Sequence, residues 1–358
     1  MRLSLLRCIV RKTGRRILSS GNTLKTGLKK IVGRQDFSVI LIFVIMFVLA
    51  ASLENNFFSS GAIVRNINAF SPLILMAMGQ AIVLIAGGVD LSCGALLSLQ
   101  TCILTYVMKT DDPVTGIYAI VITFLVSIGV GVLNGVGVGV FRIPAIVVTF
   151  ATSFMCLGIA LFVRPTPGGQ ATEWFKAFYN VSLVKGAPES LVAIGKVIPP
   201  ALLLVLAACA IWFVISKTKT GRYIYAVGSN RDNAYASGIN TAGIQIQAYV
   251  INAVFVMFAA MYFAAQNQSG DARMGDPMTL RAIAAAVVGG VALTGGRGNV
   301  YFAILGALTL SFVNKVIYFA NVPTAYQTLA GGLIIILAIS TSTIYTFAGK
   351  KASLKVGD

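Results

Sequence analysis

The 358-residue chain contains no histidine, so it lacks the residue that most often serves as a general base or a metal ligand. It has no GxxxxGK[ST] stretch to hold nucleotide phosphates and no HExxH zinc motif. A Ser-His-Asp triad is excluded, and Lys315, the lysine best placed for a Ser–Lys pair, has no recognisable serine partner. These absences predict a chain that is not an enzyme and that binds no metal or cofactor of its own.

Charge is scarce as well, at 11% of residues against about 25% in a soluble domain. Hydrophobic residues make up 57%, and one spanning helix needs about 20 apolar residues. The composition therefore predicts an all-α polytopic membrane protein with about ten transmembrane helices and no separate soluble domain. No cysteine falls in a predicted external loop, which makes a disulfide framework unexpected. The apolar segments run over 37–53, 66–86, 91–108, 114–139, 143–163, 198–216, 244–266, 281–294, 300–320 and 325–347.

Ten spans would place both termini in the cytoplasm, and the basic residues agree with this topology. The predicted cytoplasmic pieces hold 19 of the 28 Lys and Arg residues but four of the 11 acids, as the positive-inside rule requires. We interpret the net charge of +17 as topology and attraction to anionic lipid, not as nucleic-acid binding. The predicted parts are a basic tail over 1–36, a membrane domain over 37–347 with an external loop at 164–197 and a cytoplasmic loop at 217–243, and a tail over 348–358.

The basic tail over 1–36 has two interpretations. It holds ten basic residues and one acid, and reads either as an amphipathic helix lying on a membrane or as an Arg-rich transit peptide. We favour a retained first span at 37–53 with the tail inside, because that apolar run is longer than a usual signal-peptide core.

The cytoplasmic loop over 217–243 is polar and carries four basic residues against one acid. Asn230 is expected to cap a short helix with the sequence RDNAYAS, and Gly238 to end it as a left-handed glycine. A short amphipathic helix between two membrane spans is suited to docking a partner protein.

Neutral polar side chains recur within the apolar segments. The spans carry no acidic side chain at mid-depth, which weakens the case for an ion-coupled carrier. Hydroxyls, amides and aromatic faces suit a polyol, although any one of them could instead form an interhelical hydrogen bond, worth about 0.6 kcal/mol on average. The candidates for a translocation path are Gln80, Asn134, Thr149, Ser153, Asn252, Phe255, Tyr262, Gln266 and Asn314.

Glycines mark two further features. Gly131, Gly135 and Gly139 form two overlapping GxxxG steps, which predict close helix packing. The sequence GGVDLSCG at 87–94 is repeated approximately as GGVALTGG at 289–296, and both are expected to be similar cytoplasmic turns.

Four stretches carry a family resemblance: GGVDLSCGALLSL (87–99), IPAIVVTFATSFMCLGIAL (143–161), TGRYIYAVGSNRDNAYASGI (220–239) and AIAAAVVGGVALTGGRGNV (282–300). In order and spacing they resemble the ribose-type permeases of bacterial sugar ABC importers, over roughly residues 38–345. The resemblance implies the ABC importer permease fold in the bacterial inner membrane. It also implies three partners: a cytoplasmic ATPase that binds ATP and Mg, an extracytoplasmic sugar-binding protein, and a second permease copy or paralogue.

The resemblance also implies roles for particular residues. The segment that matches the family's coupling helix places ATPase contacts at Arg222, Gly228, Asn230, Arg231, Asp232 and Gly238. Asp90 and Arg297 match positions in the two cytoplasmic turns, where they would support the turns or contact the ATPase. One departure is Thr279-Leu280-Arg281, which stands where the family usually has acidic residues at the outer end of the eighth span.

The expected function is import of a small neutral sugar by alternating access, with the ATPase supplying the energy. Two alternatives remain from the sequence: an ABC permease for a nucleoside or another small polar solute, and an ion-coupled secondary sugar carrier.

Overall fold

All regular elements in the described part of the chain are helices. The computed structural model describes residues 35–320 apart from 185–187 and 196–197, together with 326, 329, 332 and 333. The predicted tenth span and most of both predicted tails lie outside the described residues. The helices are α1 (Gln35–Leu53), α2 (Ser60–Ile85), α3 (Cys93–Val107), α4 (Pro113–Gly139), α5 (Ala145–Val163), α6 (Glu189–Gly195), α7 (Ala201–Lys217), α8 (Lys219–Ser229), α9 (Arg231–Ala236), α10 (Thr241–Asn267), α11 (Met278–Val288) and α12 (Val300–Phe319), with short 3₁₀ helices at Trp174–Phe178 and Val181–Leu183.

Among the described residues, five helices are long and apolar enough to cross a membrane: α2, α4, α5, α10 and α12. A sixth crossing results if α7 and α8 are taken as one span bent by 79°. Three shorter apolar helices are Val39–Leu53 within α1, α3 and α11. Each of the nine predicted apolar segments before residue 321 overlaps one helix, which agrees with a helical membrane protein.

Helices α4 and α10, of 27 residues each, form an antiparallel pair, and the most deeply buried span is α2. The predicted close packing is confirmed, because a Cβ on Gly131 would lie 2.6 Å from Cα of Val250. A Cβ on Gly135 would lie 2.4 Å from Cα of Ile246. Side-chain caps start several helices: Ser59, Asp112, Asn240 and Asn299 each accept a hydrogen bond from a backbone N–H in the first turn.

Two helices, α3 and α11, are too short to cross the bilayer. At 1.5 Å per residue their 15 and 11 residues give about 22 and 16 Å, against a hydrocarbon thickness of about 30 Å. Irregular backbone precedes each of them, at 86–92 before α3 and at 268–277 before α11. We call these segments the inner break (86–92) and the outer break (268–277). The segment predicted at 281–294 is therefore placed too late, since α11 ends at Val288 where glycines follow.

Helices α2 and α11 each end at one of the repeated Gly-Gly-Val sequences, and the two ends share one hydrogen-bond pattern. Gly87 has φ +84° after α2, and Gly290 has φ +84° after α11. In each turn this glycine N–H bonds back three residues and the next N–H bonds back five, from Gly88 to Val83 O and from Val291 to Ala286 O. These are Schellman motifs, which require a left-handed residue that glycine adopts without strain. The two turns are therefore similar, but they are shifted by one residue relative to the sequence repeat, because the left-handed glycine is the first of the pair at 87 and the second at 290.

The two turns contact each other, and Gly228 of α8 packs between them. Gly296 N–H donates to Ile85 O at 2.8 Å, and a Cβ on Gly295 would lie 2.8 Å from Cα of Gly87. Gly228, at the end of α8, fits between them: its Cβ would lie 1.7 Å from Ile85 O and 2.7 Å from Gly296 N. We call Gly87, Gly228, Gly295 and Gly296 the glycine joint.

The loop at 164–197 folds over the opposite end of the bundle. Gly168 pairs with Gly270 of the outer break through two backbone hydrogen bonds of 3.1 and 2.8 Å. Trp174 Nε1 donates to Pro113 O at 2.9 Å, and the Tyr179 ring packs edge-on against Tyr262. A 3₁₀ helix in this loop spans Trp174–Phe178.

Candidate translocation and coupling site

The inner break is organised around the carboxylate of Asp90, which is 1% exposed. Its Oδ1 accepts from the backbone N–H of Ser92 at 2.8 Å and from the Ser92 hydroxyl at 2.5 Å. Its Oδ2 accepts from Asn252 Nδ2 at 2.7 Å, and Asn134 Nδ2 donates to the Ser92 hydroxyl at 2.9 Å. One carboxylate thereby links α4 and α10 to the start of α3.

Further side chains satisfy the backbone of the inner break. With its amide oriented to suit both partners, Gln80 accepts from Asp90 N at 3.1 Å and donates to Asp90 O at 3.3 Å. Thr149 Oγ1 accepts from Leu91 N at 3.1 Å, and Gln245 Nε2 donates to Ala86 O at 2.7 Å. Irregular backbone is tolerated at membrane depth only where protein or water provides such partners.

Two expectations about Asp90 need correction: that it lies in a cytoplasmic turn, and that no acidic side chain lies deep within the bundle. Gly87 does lie in the surface-facing glycine joint, but the chain then turns back into the bundle, and Asp90 is buried level with Gln80 and Asn252. A contact between this carboxylate and a partner protein is not possible in this conformation. The alternative interpretation of Asp90, support of the turn, fits the hydrogen bonds.

The predicted path residues fall into three groups. Gln80, Asn134, Thr149 and Asn252 belong to the network around the inner break, where their amides and hydroxyls bond to protein. Phe255 and Tyr262 are buried at 0% and 1% exposure, and Gln266 is half-buried near the end of α10. Two residues line open cavities, namely Ser153 and Asn314.

The two cavities flank the first turn of α11. One, of about 390 Å³, lies between α3, α5 and α11 and is lined by Ser153, Asp276 and Thr279 among others. The second, of about 480 Å³, lies between α2, α11 and α12 and is lined by Arg281 and Asn314 among others. Thr279 and Arg281, the departures from the family pattern, thus lie on opposite sides of one helical turn.

The first turn of α11 also meets the start of α3 inside the bundle. Gly94 N–H donates to Thr279 Oγ1 at 3.1 Å, and Gly275 N–H donates to Ser98 Oγ at 2.8 Å. A Cβ on Gly275 would lie 1.9 Å from Gly94 O, so only glycine fits there. Pro277 precedes α11 and provides no side-chain cap. Two helix N-termini, each the positive end of a helix dipole, therefore converge between the cavities.

The loop at 217–243 contains more helix than expected. The predicted short helix is confirmed as α9: Asn230 Oδ1 accepts from Asn233 N at 2.8 Å, and Gly238 has φ +80° after its last turn. Helix α8 was not predicted from the sequence. Its buried residues Ile224 and Val227 recur at a helical spacing of three residues within YIYAV. That spacing is the signal that could have identified it.

Two side chains attach this segment to the bundle. The Arg231 guanidinium donates to Val138 O at 3.2 Å and to Gly139 O, the last carbonyls of α4. Burial, with a smaller effect of the neighbouring Arg142, lowers the pKa of Arg231, which stays charged at neutral pH. Tyr225 OH donates to Gly298 O at 3.2 Å, beside the glycine joint.

The remaining expected coupling residues lie on the surface of this segment. Arg222, Asp232 and Gly238 are exposed, and Arg297 is exposed in the loop that follows α11. Gly228 is part of the glycine joint and not of the exposed surface. Tyr235, which the sequence analysis did not single out, is 67% exposed on α9.

These features define a helical membrane protein of the transport class, with broken helices inside the bundle and a separate helical segment at one end. Comparison with known proteins agrees. Residues 62–339 match a family described as branched-chain amino acid transport system / permease component, and the chain belongs to this family.

Named relatives extend over most of the chain. The autoinducer 2 import system permease protein LsrC of Escherichia coli (strain K12 / DH10B) is 30% identical over 315 residues, covering 87% of this chain and 88% of the relative. The ribose import permease protein RbsC of Haemophilus influenzae is 28% identical over 296 residues, covering 83% and 89%. The LsrC protein of Photorhabdus laumondii is 28% identical over 317 residues, covering 87% and 90%. No solved structure matches the chain.

Proposed function

We propose that the chain is the non-catalytic permease subunit of an ATP-driven importer for a small sugar in the bacterial inner membrane. The names of the relatives, an autoinducer 2 permease and a ribose permease, support a solute of this kind. The family description names branched-chain amino acids instead, so family membership alone leaves the solute class open. The cavities beside α11 have mostly apolar walls with a few hydroxyl, amide and charged groups, a lining that suits a sugar-like solute.

The observation that carries the proposal is the arrangement of α8 and α9. Their inner face is fixed to the bundle by Arg231, Tyr225 and the glycine joint. Their outer face presents Asp232 and Tyr235 to solvent. A rigidly mounted helix with an exposed aromatic tip can transmit the movement of a docked protein into the bundle.

The proposed partners follow from this arrangement. A cytoplasmic ATP-binding-cassette ATPase, which carries ATP and Mg, would receive α9. An extracytoplasmic sugar-binding protein would deliver the solute, and a second permease, either another copy or a paralogue, would complete the path. Ten spans with both termini in the cytoplasm would place α9 on the ATPase side, in line with the basic residues of 217–243.

In this mechanism the chain breaks no bond. Closure of the ATPase subunits on ATP pushes α9, and the glycine joint passes the displacement to the ends of α2 and α11. The bundle then moves from an inward-open to an outward-open state, and hydrolysis returns it. The ATPase must bind the two states with different affinity for this coupling to work.

The test is co-purification from mild detergent, with and without changes confined to the exposed face of α9. The variant carries Asp232→Ala, Asn233→Ala and Tyr235→Ala, which leave the cap at Asn230 and the anchor at Arg231 in place. The matched control carries Lys109→Ala and Asp111→Ala, which are exposed at the opposite end of α4.

We expect the wild type and the control to bring down an ATPase, identified by mass spectrometry, and the α9 variant to lose it. A wild type that purifies alone and takes up sugar on an ion gradient would establish a secondary carrier instead. An intact complex that transports a nucleoside but no sugar would keep the coupling mechanism and replace the solute.

A further inference from the structure

The cavity between α2, α11 and α12 is positively charged. Its volume is about 480 Å³, and its charged lining residues are Arg65, Arg281, Lys315 and Glu54. Ser311 and Asn314 add a hydroxyl and an amide to the lining. Three cations therefore face one carboxylate.

Glu54 neutralises one of the three cations. Lys315 forms a buried ion pair with Glu54, donates to Asn66 Oδ1, and lies 5.2 Å from the centre of the Phe57 ring. The side chain of Arg65 is 71% exposed and reaches the same carboxylate only at 4.0 Å. The lining therefore keeps a positive surplus that this acid does not balance.

Arg281 makes no ion pair or hydrogen bond with any residue that the structure describes, and its side chain is exposed. An arginine at the centre of a span costs roughly 2.5–3.5 kcal/mol on insertion scales when it faces lipid. Its exposure therefore indicates a face covered by water or by a second subunit.

The packing of α11 against α12 gives the depth of Arg281. Gly289 lies against Phe302, and Gly306 lies against Ala285, so the antiparallel register places Arg281 beside Ser311. Eight residues separate Ser311 from Phe319 at the other end of the cavity, which corresponds to about 12 Å of helix. The unpaired cation is thus at the inner end of the cavity, next to the convergent starts of α3 and α11.

We propose that this cavity binds an anionic group, a carboxylate or a phosphate, on the transported solute, with Arg281 as the contact and Ser311 as a partner for a hydroxyl group. The inference rests on the proposed import function and replaces the expected neutral sugar with a sugar-like solute that carries a negative charge. Arginine presents a planar fork of donors that matches both carboxylate and phosphate.

The volume of the cavity, about 480 Å³, lies within the range of small-molecule sites and favours a small solute over an acidic side chain of a docked protein. A solute that enters the cavity can reach the inner end without bringing a protein backbone into the bundle.

The first experiment compares the reaction rates of anionic and cationic thiol reagents in the cavity, which depend on its charge and require no known ligand. Asn314→Cys is introduced into the full chain, purified with its partner proteins and placed in nanodiscs of phosphatidylcholine, so that no anionic lipid competes. The cysteine is then modified by anionic sulfonatoethyl and cationic trimethylammonioethyl methanethiosulfonate, each rate normalised to the rate with free cysteine. The same complex with Asn314 retained gives the background from native cysteines, of which Cys93, Cys102 and Cys156 are buried.

We expect the anionic reagent to react faster, and the ratio of the two rates to fall about three- to tenfold in Arg281→Gln, as loss of one nearby charge predicts. The matched control is Arg297→Gln, an exposed arginine outside the cavity, which should leave the ratio unchanged. A ratio near one in the parent, or one that Arg281→Gln does not lower, would overturn the proposal.

The second measurement identifies the occupant. We expect gluconate or glucose 6-phosphate to slow the modification of Asn314→Cys while glucose at the same concentration does not. Protection by phosphatidylglycerol but by neither solute would assign the cavity to lipid, and protection only by a docked binding protein would assign it to docking; each would overturn the proposal. Co-purification of the ATPase is scored separately, so its loss would refute the import function and not the charge of the cavity.

Discussion

The inner and outer breaks both lead irregular backbone to a helix that starts inside the bundle, but they differ in how far their side chains are exposed. The inner break is closed: Asp90 is 1% exposed and Leu91 bonds to Thr149. The outer break is open towards α11, with Arg273 and Asp276 exposed before its first turn.

This difference between the breaks indicates that one supports the fold and the other serves transport. The donors of the inner break bond to protein, whereas the amide oxygens of Asn134, Gln245 and Asn252 are buried without a partner among the described residues. None of these three residues lines either cavity beside α11, so a solute in those cavities does not meet them. The first turn of α11 has cavities on both sides and an arginine without a protein partner among the described residues. We infer that the inner break holds α3 in place and that the outer break lets α11 meet the solute.

The largest expected effect comes from removing the acceptor at the centre of the inner break. Asp90→Ala leaves Asn252 Nδ2 and the Ser92 N–H buried without a partner, at about 1–3 kcal/mol each. We expect a loss of roughly 3 kcal/mol or more, measured as a lower midpoint of thermal unfolding in detergent. Asp276→Ala, the matched acid at the outer break, should change the midpoint little, by about 0.5 kcal/mol or less. Equal effects of the two would remove the distinction between the breaks.

Gly228→Ala should have the next largest effect, because the glycine joint has no space for a methyl group. The new Cβ would overlap Ile85 O, so the ends of α2 and α8 must separate. We expect a loss of about 2–3 kcal/mol and weaker coupling of ATP hydrolysis to uptake. Gly238→Ala is the control: its Cβ meets open space, and its left-handed backbone costs about 1–2 kcal/mol. If the order is reversed, the joint is not a tight contact.

Arg231→Gln should have a moderate effect that the sequence did not suggest. A role for Arg231 as an ATPase contact alone would affect coupling and leave the stability of the fold unchanged. The structure shows the guanidinium bonded to the last carbonyls of α4, where a cation contributes about 0.3–1 kcal/mol and up to about 2 when partly buried. We therefore expect both a lower unfolding midpoint and reduced uptake. Arg222→Gln, exposed on α8, should leave the midpoint unchanged; a drop as large as that of Arg231→Gln would contradict this anchoring role.

The smallest expected effect is at the contact between the starts of α3 and α11. Thr279→Val removes the acceptor for Gly94 N–H and should cost about 1 kcal/mol. Thr279→Ser keeps the hydroxyl and should restore the wild-type midpoint. If serine fails to restore it, the threonine acts through its methyl group and not through the hydrogen bond.

The helices could be predicted because their information is local. Apolar runs of about 20 residues located them, and Asn230 and Gly238 located the ends of α9 through capping that depends on a few adjacent residues. The GxxxG glycines of α4 indicated close packing for the same reason. Helix α8 was missed because its apolar positions lie within a segment whose charge indicated a loop.

The position of Asp90 could not be predicted, because it depends on partners far along the chain. The carboxylate is stable inside the bundle only because Asn252, 162 residues away, and the Ser92 hydroxyl donate to it. An acid beside two glycines otherwise indicates a surface turn. The same dependence explains why several polar residues proposed for the path, such as Asn134, instead bond to protein, whereas Ser153 and Asn314 line cavities.

The unbroken length of helix α10 bears on how a movement at one end of the bundle reaches the other end. It follows α9 after a short turn and runs unbroken for 27 residues, or about 40 Å, to the start of the outer break. Asn252, held by the inner break, lies about 16 Å from one end of this rod and about 22 Å from the other. If Asn252 acts as a pivot, a tilt of about 10° moves the α9 end by about 3 Å and the far end by about 4 Å, from the same rise per residue. The rod would then work as a lever of unequal arms, in which a small stroke at the α9 end becomes a slightly larger one where the outer break begins.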